Sequence, residues 1–367
     1  MTTLLRAGLV GVGFMGEVHA RAVRAAGGRV SRVLGRTAAS SSAAVARLGA
    51  EWASPDLASL MEDPEVDVVH VCTPNWMHHE VATLALRAGK HVVCEKPLAT
   101  TVEDAESLVA LAGESGLVDA VPFVYRYHPM VREARARLAR GDLGDVWVVH
   151  GSYLQDWLAL GTDTNWRVDP ALGGSSRAFG DIGVHWCDLV EFVSGHRITS
   201  VSGRATTAHG TRNGAPALTE DALVVSFSTD RGAIGSLTVS QVSQGRKNSL
   251  RLSIDGSEGS LGFDGENPET LWLGGLESTR TLHRGALDAD PDAARLDRVP
   301  PGHPQGYQDA FNGFVLDTYA TISGERPFGL PRFVDGLRAA HLTEAVMAAT
   351  RSNGWVDVPA AHQEATT

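Results

Sequence analysis

Residues 8–16, GLVGVGFMG, set Gly11, Gly13 and Gly16 in a G-x-G-x-x-G spacing. The stretch lies between an apolar run, LRAGLVGVG (5–13), and a helical pattern, EVHARAVRAA (17–26). Alone this spacing is weak, but at the first strand–helix turn of an alternating segment it strongly constrains the fold. The first glycine permits a tight turn, the second lets backbone approach a pyrophosphate, and the third allows helix and strand to pack closely. The helix then begins with free N–H groups facing the phosphates. Phe14 and Met15 belong to the same turn and join the expected dinucleotide-binding positions. The alternative reading is a glycine-rich turn that holds no ligand.

The alternation continues to about residue 126. Strands are expected at 5–13, 29–34, 66–74, 91–97 and 117–126, with helices at 17–26, 38–49, 78–89 and 101–116 between them. Such a rhythm with short loops implies a parallel sheet covered by helices on both faces. From about residue 145 the rhythm changes to strands at 145–155, 198–208, 220–229, 232–243, 248–255 and 258–263, joined by turns such as TDRG (229–232). That pattern suits a largely antiparallel sheet, with helices at 129–140, 181–194, 306–322 and 332–351. The Pro-, Gly- and Asp-rich stretch 276–306 reads as a long loop. The chain therefore divides into domains at 1–126 and 127–367, in keeping with a length of 367 residues.

Composition excludes some partners. The net charge is −11 and no Lys/Arg block stands out, which argues against nucleic acid. The most basic stretch, VREARARLAR (131–140), reads as one solvated helix face. The sequence has no apolar run long enough for a membrane span, and MTTLLRAGLVGVG lacks the features of a signal peptide. Cys72, Cys94 and Cys187 are odd in number, far apart and in apolar contexts. They read as buried free thiols, and a cytoplasmic location is expected. No Cys/His spacing suggests a metal.

In many dinucleotide-binding domains a carboxylate ends the second strand and holds the ribose 2′-hydroxyl. Here that strand ends Leu34, Gly35, Arg36, Thr37, with no acid. A small residue followed by Arg36 and Thr37 suits a 2′-phosphate, so the expectation is NAD(P)(H) with a slight lean to NADP(H). Arg36 stacking on adenine is the other reading.

GDIGVHWCDLV (180–190) places two acids and a histidine in an apolar stretch. On a helix, Asp181, His185 and Asp188 fall within about 60° of one another. Ile182, Trp186, Leu189, Val190 and Val193 form the adjacent apolar stripe. A histidine has a pKa suited to taking a hydroxyl proton. Two other readings stand beside this one: Asp181 as a helix-start acid, and an i, i+4 metal pair, for which no further ligand cluster is evident.

Together these motifs resemble the Gfo/Idh/MocA oxidoreductase family. GVGFMGEVHA (11–20), CTPNWMHHE (72–80), CEKPLA (94–99), NWR (165–167) and GGSSRAFGDIGVHWCDL (173–189) occur in one order across nearly the whole chain. GSYLQDW (151–157) and PPGHPQGY (300–307) resemble the levoglucosan dehydrogenase branch. The resemblance implies an α/β fold: an N-terminal Rossmann dinucleotide-binding domain, then an α/β domain with a large, mainly antiparallel open-faced sheet. That sheet often forms the subunit interface in the family, so a homo-oligomer, dimer or tetramer, is expected. It also implies hydride transfer between a nicotinamide and a secondary alcohol of a sugar or cyclitol. Lys96 matches the family's catalytic lysine, and Asp181 and His185 its acid–base pair. Thr73, Pro74, Asn75 and His78 match cofactor-lining positions, as does the Glu95-Lys96 pair. Trp166 and Arg167 match a cofactor-contacting loop. Two departures are Gly35, where many members carry Asp, and Val124, where many carry Asn.

The expected activity is thus an NAD(P)-dependent dehydrogenase acting on a sugar, anhydrosugar, glycoside or cyclitol hydroxyl. Lys96 donates a hydrogen bond to the reacting oxygen, and Pro97 after it holds the local backbone extended. Tyr153 and Trp157 are expected to wall the substrate, as aromatic faces pack on sugar C–H groups. His303, with Tyr307 and Asp309, is a weaker candidate contact. Redox-neutral glycoside cleavage and cofactor sensing are the rival activities.

Overall fold

The structure, a computed structural model, describes residues 4–286 and 288–360. Residues 1–3 and 361–367, at the outer ends of the two expected domains, and Leu287 of the expected long loop lie outside the described residues. The described residues form two compact units, 4–124 with 307–337, and 125–286 and 288–306 with 338–360.

In the first unit, strands β1 (Arg6–Val10), β2 (Arg29–Leu34), β3 (Ala50–Ala53), β4 (Val68–Val71), β5 (His91–Cys94) and β6 (Asp119–Ala120) alternate with helices α1 (Phe14–Ala25), α2 (Ala38–Leu48), α3 (Leu57–Glu62), α4 (His78–Arg87) and α5 (Val102–Ser115). The sheet runs β3-β2-β1-β4-β5-β6 and every pairing is parallel. Helices on both faces bury the central strands, which is why β4 reads as continuous VVHV rather than as an alternation. Val10 pairs with Leu34 on one side and Val71 on the other, so β1, β2 and β4 end side by side. Strand order reverses about β1, the place where such sheets bind ligands.

Three sequence expectations change in this unit. The short edge strand β3 and helix α3 lie where neither was expected; the burial of β3 follows no alternation. The strand expected at 117–126 shrinks to Asp119–Ala120, and Val124–Tyr127 turns as a 3₁₀ segment. Residues 307–337, assigned by sequence to the second domain, lie in the first unit. Helix α10 there (Tyr307–Ile322) packs on α1, with Phe311 edge-on to His19 at 4.7 Å between centroids.

The second unit is built on strands β7 (Val146–Leu154), β8 (Ile198–Thr206), β11 (Ala222–Thr229), β12 (Ile234–Ser240), β13 (Ser249–Gly256), β14 (Ser260–Asp264), β15 (Thr270–Gly274), β16 (Thr279–His283) and β17 (Val356–Asp357). A separate small hairpin joins β9 (Thr211–Arg212) to β10 (Ala215–Pro216). Among the described residues the large sheet runs β16-β15-β14-β13-β7-β12-β11-β8-β17. Among the described residues of this sheet, only β7 and β12 pair in parallel. Helices α6 (Pro129–Arg140), α7 (Pro170–Gly173), α8 (Val184–Ser194) and α9 (Pro291–Ala294) complete it, with most of α11 (Phe333–Ser352). Strand β16 and helix α9 fall inside the segment expected to be loop. Trp147, Val224, Ile234 and Trp272 remain exposed on the sheet.

The basic helix α6 corrects another expectation. Its Arg132, Glu133 and Arg137 are buried rather than solvated. Arg132 lies over the Phe192 ring at 4.9 Å and pairs with Asp292 at 3.0 Å, and Arg137 meets Glu133 at 2.7 Å. Glu133 one turn away in the helix and Asp292 from elsewhere in the chain make that burial tolerable, and the second of these a helix read alone cannot reveal.

Candidate active site

The first unit supplies a dinucleotide turn. Gly11 has φ +101°, and a Cβ there would lie 2.4 Å from the Cys72 carbonyl oxygen. A Cβ on Gly16 would lie 2.5 Å from the Gly11 carbonyl oxygen, so helix and turn touch only because both residues are glycine. Gly13 faces open space and precedes α1 with no side-chain cap, which leaves the helix N–H groups to a ligand. Phe14 is exposed, Met15 is half-buried, and the buried Thr73 Oγ1 has no hydrogen-bond partner among the described residues. An open glycine cradle, an uncapped helix start and an orphaned hydroxyl fit a dinucleotide.

Gly35 is also constrained. A Cβ there would meet Ser40 Oγ at 2.5 Å and Val12 Cγ2 at 2.9 Å. Any acid at this position would displace one of them. Arg36 is exposed beside it, and Thr37 caps α2 through Ser40 N–H at 3.1 Å.

Pro74 leads into a 3₁₀ turn, Asn75–Met77, from which α4 begins at His78. The His78 ring spans two loops, with Nδ1 2.7 Å from the Pro97 carbonyl and Nε2 2.9 Å from the Thr73 carbonyl. It ties the Thr73 loop to the loop carrying Lys96. Lys96 itself is half-buried, two residues past the end of β5.

Glu95 is buried, and its Oε1 lies 3.1 Å from His19 Nε2. The line continues from His19 Nδ1 to His70 Nδ1 at 2.8 Å, then from His70 Nε2 to the Tyr319 hydroxyl at 3.0 Å. Burial pushes the Glu95 carboxyl up, but the hydrogen bond and charge from His19, with Lys96, bring it below its ordinary value. Burial, and then His19, hold His70 well below the ordinary histidine range. Sequence reading missed His19, His70 and Tyr319. The available signal was a histidine in the apolar strand VVHV, which needs partners once buried.

The second unit supplies Asp181 and His185, though not on a regular helix. Phe179–Gly183 is a π turn that runs into α8, so the 100° step used for the sequence stripe does not hold at Asp181. Asp181 Oδ2 accepts from Gln241 Nε2 at 2.7 Å, and Arg167 Nε lies 3.5 Å from Oδ1. The Arg167 guanidinium stacks on Trp166 at 4.3 Å. His185 is buried, and its ring meets Tyr125 edge-on at 5.4 Å.

Tyr125 opens a polar chain. Its hydroxyl lies 2.5 Å from that of Tyr153, which donates to Asn248 Oδ1 at 2.8 Å. Asn248 Oδ1 also accepts from Gln155 Nε2 at 2.9 Å, and Gln155 Oε1 from Trp157 Nε1 at 2.8 Å. Tyr153 and Trp157, expected to wall the substrate, thus belong to one network with Tyr125, Asn248 and Gln155, which sequence reading missed. Val124 is buried and apolar. Asp188 is bound by Arg126. His303 is exposed, its ring 3.2 Å from the Pro300 carbonyl and its own carbonyl held by Arg284 at 2.7 Å. Tyr307 is exposed and Asp309 lies in the first turn of α10, both in the first unit. Among the described residues no cluster of three His, Cys, Asp or Glu side chains is placed to hold a metal, and no helix is long and apolar enough to cross a membrane.

A Rossmann unit with this turn, followed by a unit built on a large mostly antiparallel sheet, defines a dinucleotide-dependent oxidoreductase. Residues 5–123 match the model of an oxidoreductase family with an NAD-binding Rossmann fold, and residues 131–262 match the GFO/IDH/MocA C-terminal domain. The chain belongs to the GFO/IDH/MocA oxidoreductase family. It is 29% identical to levoglucosan dehydrogenase of Pseudarthrobacter phenanthrenivorans, over 97% of this chain and 98% of that one. It is 30% identical to inositol 2-dehydrogenase 2 of Saccharopolyspora erythraea, over 74% of this chain and 76% of that one. A solved levoglucosan dehydrogenase in complex with NADH and levoglucosan superposes with a TM-score of 0.91 at 29% identity, covering 97% of this chain and all (100%) of that one.

Proposed function

We propose that this enzyme transfers a hydride between a nicotinamide dinucleotide and a secondary hydroxyl of a sugar, anhydrosugar, glycoside or cyclitol. The observation that carries the reading is the Asp181/His185 pair on one π-to-α helical segment, with Asp181 anchored by Gln241, in a chain that also bears the glycine cradle. Levoglucosan and inositol dehydrogenases among its relatives support the substrate class.

Gly11, Gly13, Phe14, Met15 and Gly16 would hold the pyrophosphate end, with Thr73, Pro74, Asn75, His78, Glu95, Trp166 and Arg167 as further cofactor positions. Of these, Glu95 and His78 act through the backbone: one accepts from Lys96 N–H at 3.2 Å, the other bridges two loop carbonyls. The bound nicotinamide supplies the hydride acceptor or donor. His185 takes the hydroxyl proton, a task suited to imidazole. The Lys96 ammonium donates a hydrogen bond to the same oxygen and stabilises its developing negative charge. Asp181 accepts from a neighbouring substrate hydroxyl and orients the sugar. Tyr153, Trp157 and His303 are the proposed substrate contacts beyond these three residues.

The crowding at Gly35 and the exposed Arg36 favour NADP(H) over NAD(H). The exposed Trp147, Ile234 and Trp272 support self-association through the sheet. The test is absorbance of the reduced nicotinamide with a panel of sugars, anhydrosugars and cyclitols, NAD⁺ and NADP⁺ run in parallel. A rise with one sugar is expected. Cofactor binding without net reduction across the panel would favour redox-neutral glycoside cleavage or cofactor sensing instead.

A further inference from the structure

We propose that Gln241 is a positioning residue that holds Asp181 as a hydrogen-bond acceptor, through an amide whose orientation Arg177 fixes. Gln241 directly follows β12 and is fully buried. Its Oε1 accepts from the Arg177 guanidinium at 3.0 Å, and its Nε2 donates to Asp181 Oδ2 at 2.7 Å. An arginine has donors only, so the amide oxygen must face Arg177. The NH₂ group is then left to face Asp181, and Oδ2 must accept. A proton on that oxygen would set O–H against N–H.

The anchors behind the amide are themselves fixed. Gln241 N–H donates to the Asp221 carbonyl at 3.0 Å, and its own carbonyl accepts from Leu158 N–H at 3.2 Å. Arg177 is buried and donates to the Glu220 carbonyl at 2.9 Å, to Thr219 Oγ1 at 3.3 Å and to the Asp221 carboxylate. Asp221 is also buried and receives Arg212 at 2.6 Å and the Ala208 N–H at 2.7 Å. Arg212 Nε is the one atom of this network left without a partner among the described residues, and the remaining bonds hold the Gln241 amide in one orientation. Asp181 is thereby held, from sixty residues away in sequence, with Oδ2 fixed as an acceptor and Oδ1 left for other contacts.

This inference rests on the proposed role of Asp181, so its test has two arms. Gln241→Glu keeps the side-chain shape and the oxygen that Arg177 needs, but turns a carboxylate oxygen toward Asp181. Gln241→Met removes the donor without adding charge. With the sugar identified by the panel, both are expected to lower kcat by about tenfold or more, since small misplacements near the chemistry carry such costs. The dissociation constant for the reduced cofactor should stay at the wild-type value, and each variant should melt cooperatively. The second arm needs no substrate: in the wild-type protein the side-chain amide protons of Gln241 should exchange slowly and resonate downfield by NMR, and Asp181→Asn should move them. A kcat within about twofold of wild type in both variants, or an amide signal indifferent to Asp181→Asn, would overturn the inference. If Asp181→Asn leaves kcat unchanged while the amide signal moves, the pairing stands and the proposed role of Asp181 fails.

Discussion

Asp188 sits in the fork of Arg126: the guanidinium Nε donates to Oδ2 at 2.9 Å and a terminal nitrogen closes on Oδ1. The same guanidinium lies over Phe192 at 5.1 Å. Both charged side chains are nearly out of water. Asp188 therefore reads as a residue of the fold. Asp188→Ala leaves a buried charge short of its partner, a change that costs about 3–5 kcal/mol. Urea unfolding should record that loss, with cofactor affinity unchanged in the folded fraction. A variant of wild-type stability with lost turnover would return Asp188 to the chemistry.

The cradle makes its own demand. Gly11→Ala must hold a left-handed backbone and place a methyl against the Cys72 carbonyl. Strain of this kind costs about 1–3 kcal/mol, and 1.4 kcal/mol is tenfold in affinity. Fluorescence titration with NADH and NADPH should show a loss of about fivefold to a hundredfold for both.

Arg36 separates the two cofactors. If its guanidinium meets a 2′-phosphate, Arg36→Ala should weaken NADPH about tenfold or more, the range for hydrogen bonds to charged groups, and leave NADH within about twofold. Equal losses for the two would assign Arg36 to adenine stacking.

His70 sets a pH dependence of stability. Its folded pKa is depressed by burial and by His19. The unfolded chain takes up this proton near about pH 6.5, and the folded protein only at lower pH. Stability is therefore full above that value and falls as pH drops toward the folded pKa. His78, His91 and His196 are shifted in the same direction and add to the slope. His70→Gln should flatten stability against pH between about 7 and 5, by up to about 1.4 kcal/mol per pH unit. A wild-type slope in that variant would show that His70 titrates normally.

The parts of the fold visible in the sequence are those set by local pattern. Gly11, Gly13 and Gly16 mark a turn whose geometry only glycine meets, and the apolar runs around β1, β4 and β5 mark buried parallel strands. Asp181 and His185 were legible because they share one segment. Gln241 was not: it comes from the far end of another strand, and nothing near it in sequence marks it. The π turn at Phe179–Gly183 was hidden for a related reason, since its backbone is set by Glu220, which binds Ser176 Oγ and Phe179 N–H. The buried charges of α6 look like a solvated face until Asp292 and Phe192 are brought to them. Helix α10 was visible as a helix, but only its packing on α1 assigns it to the first unit.

The most direct measurement is the single-turnover rate of hydride transfer, followed by nicotinamide absorbance, in the wild type, Lys96→Met and His185→Asn, with cofactor affinity measured separately. General acid–base groups contribute about 10²–10⁴-fold. The account expects losses of at least about 10²-fold in each variant, with cofactor binding intact. Wild-type rates in both would contradict the assignment of proton transfer to His185 and of oxygen stabilisation to Lys96.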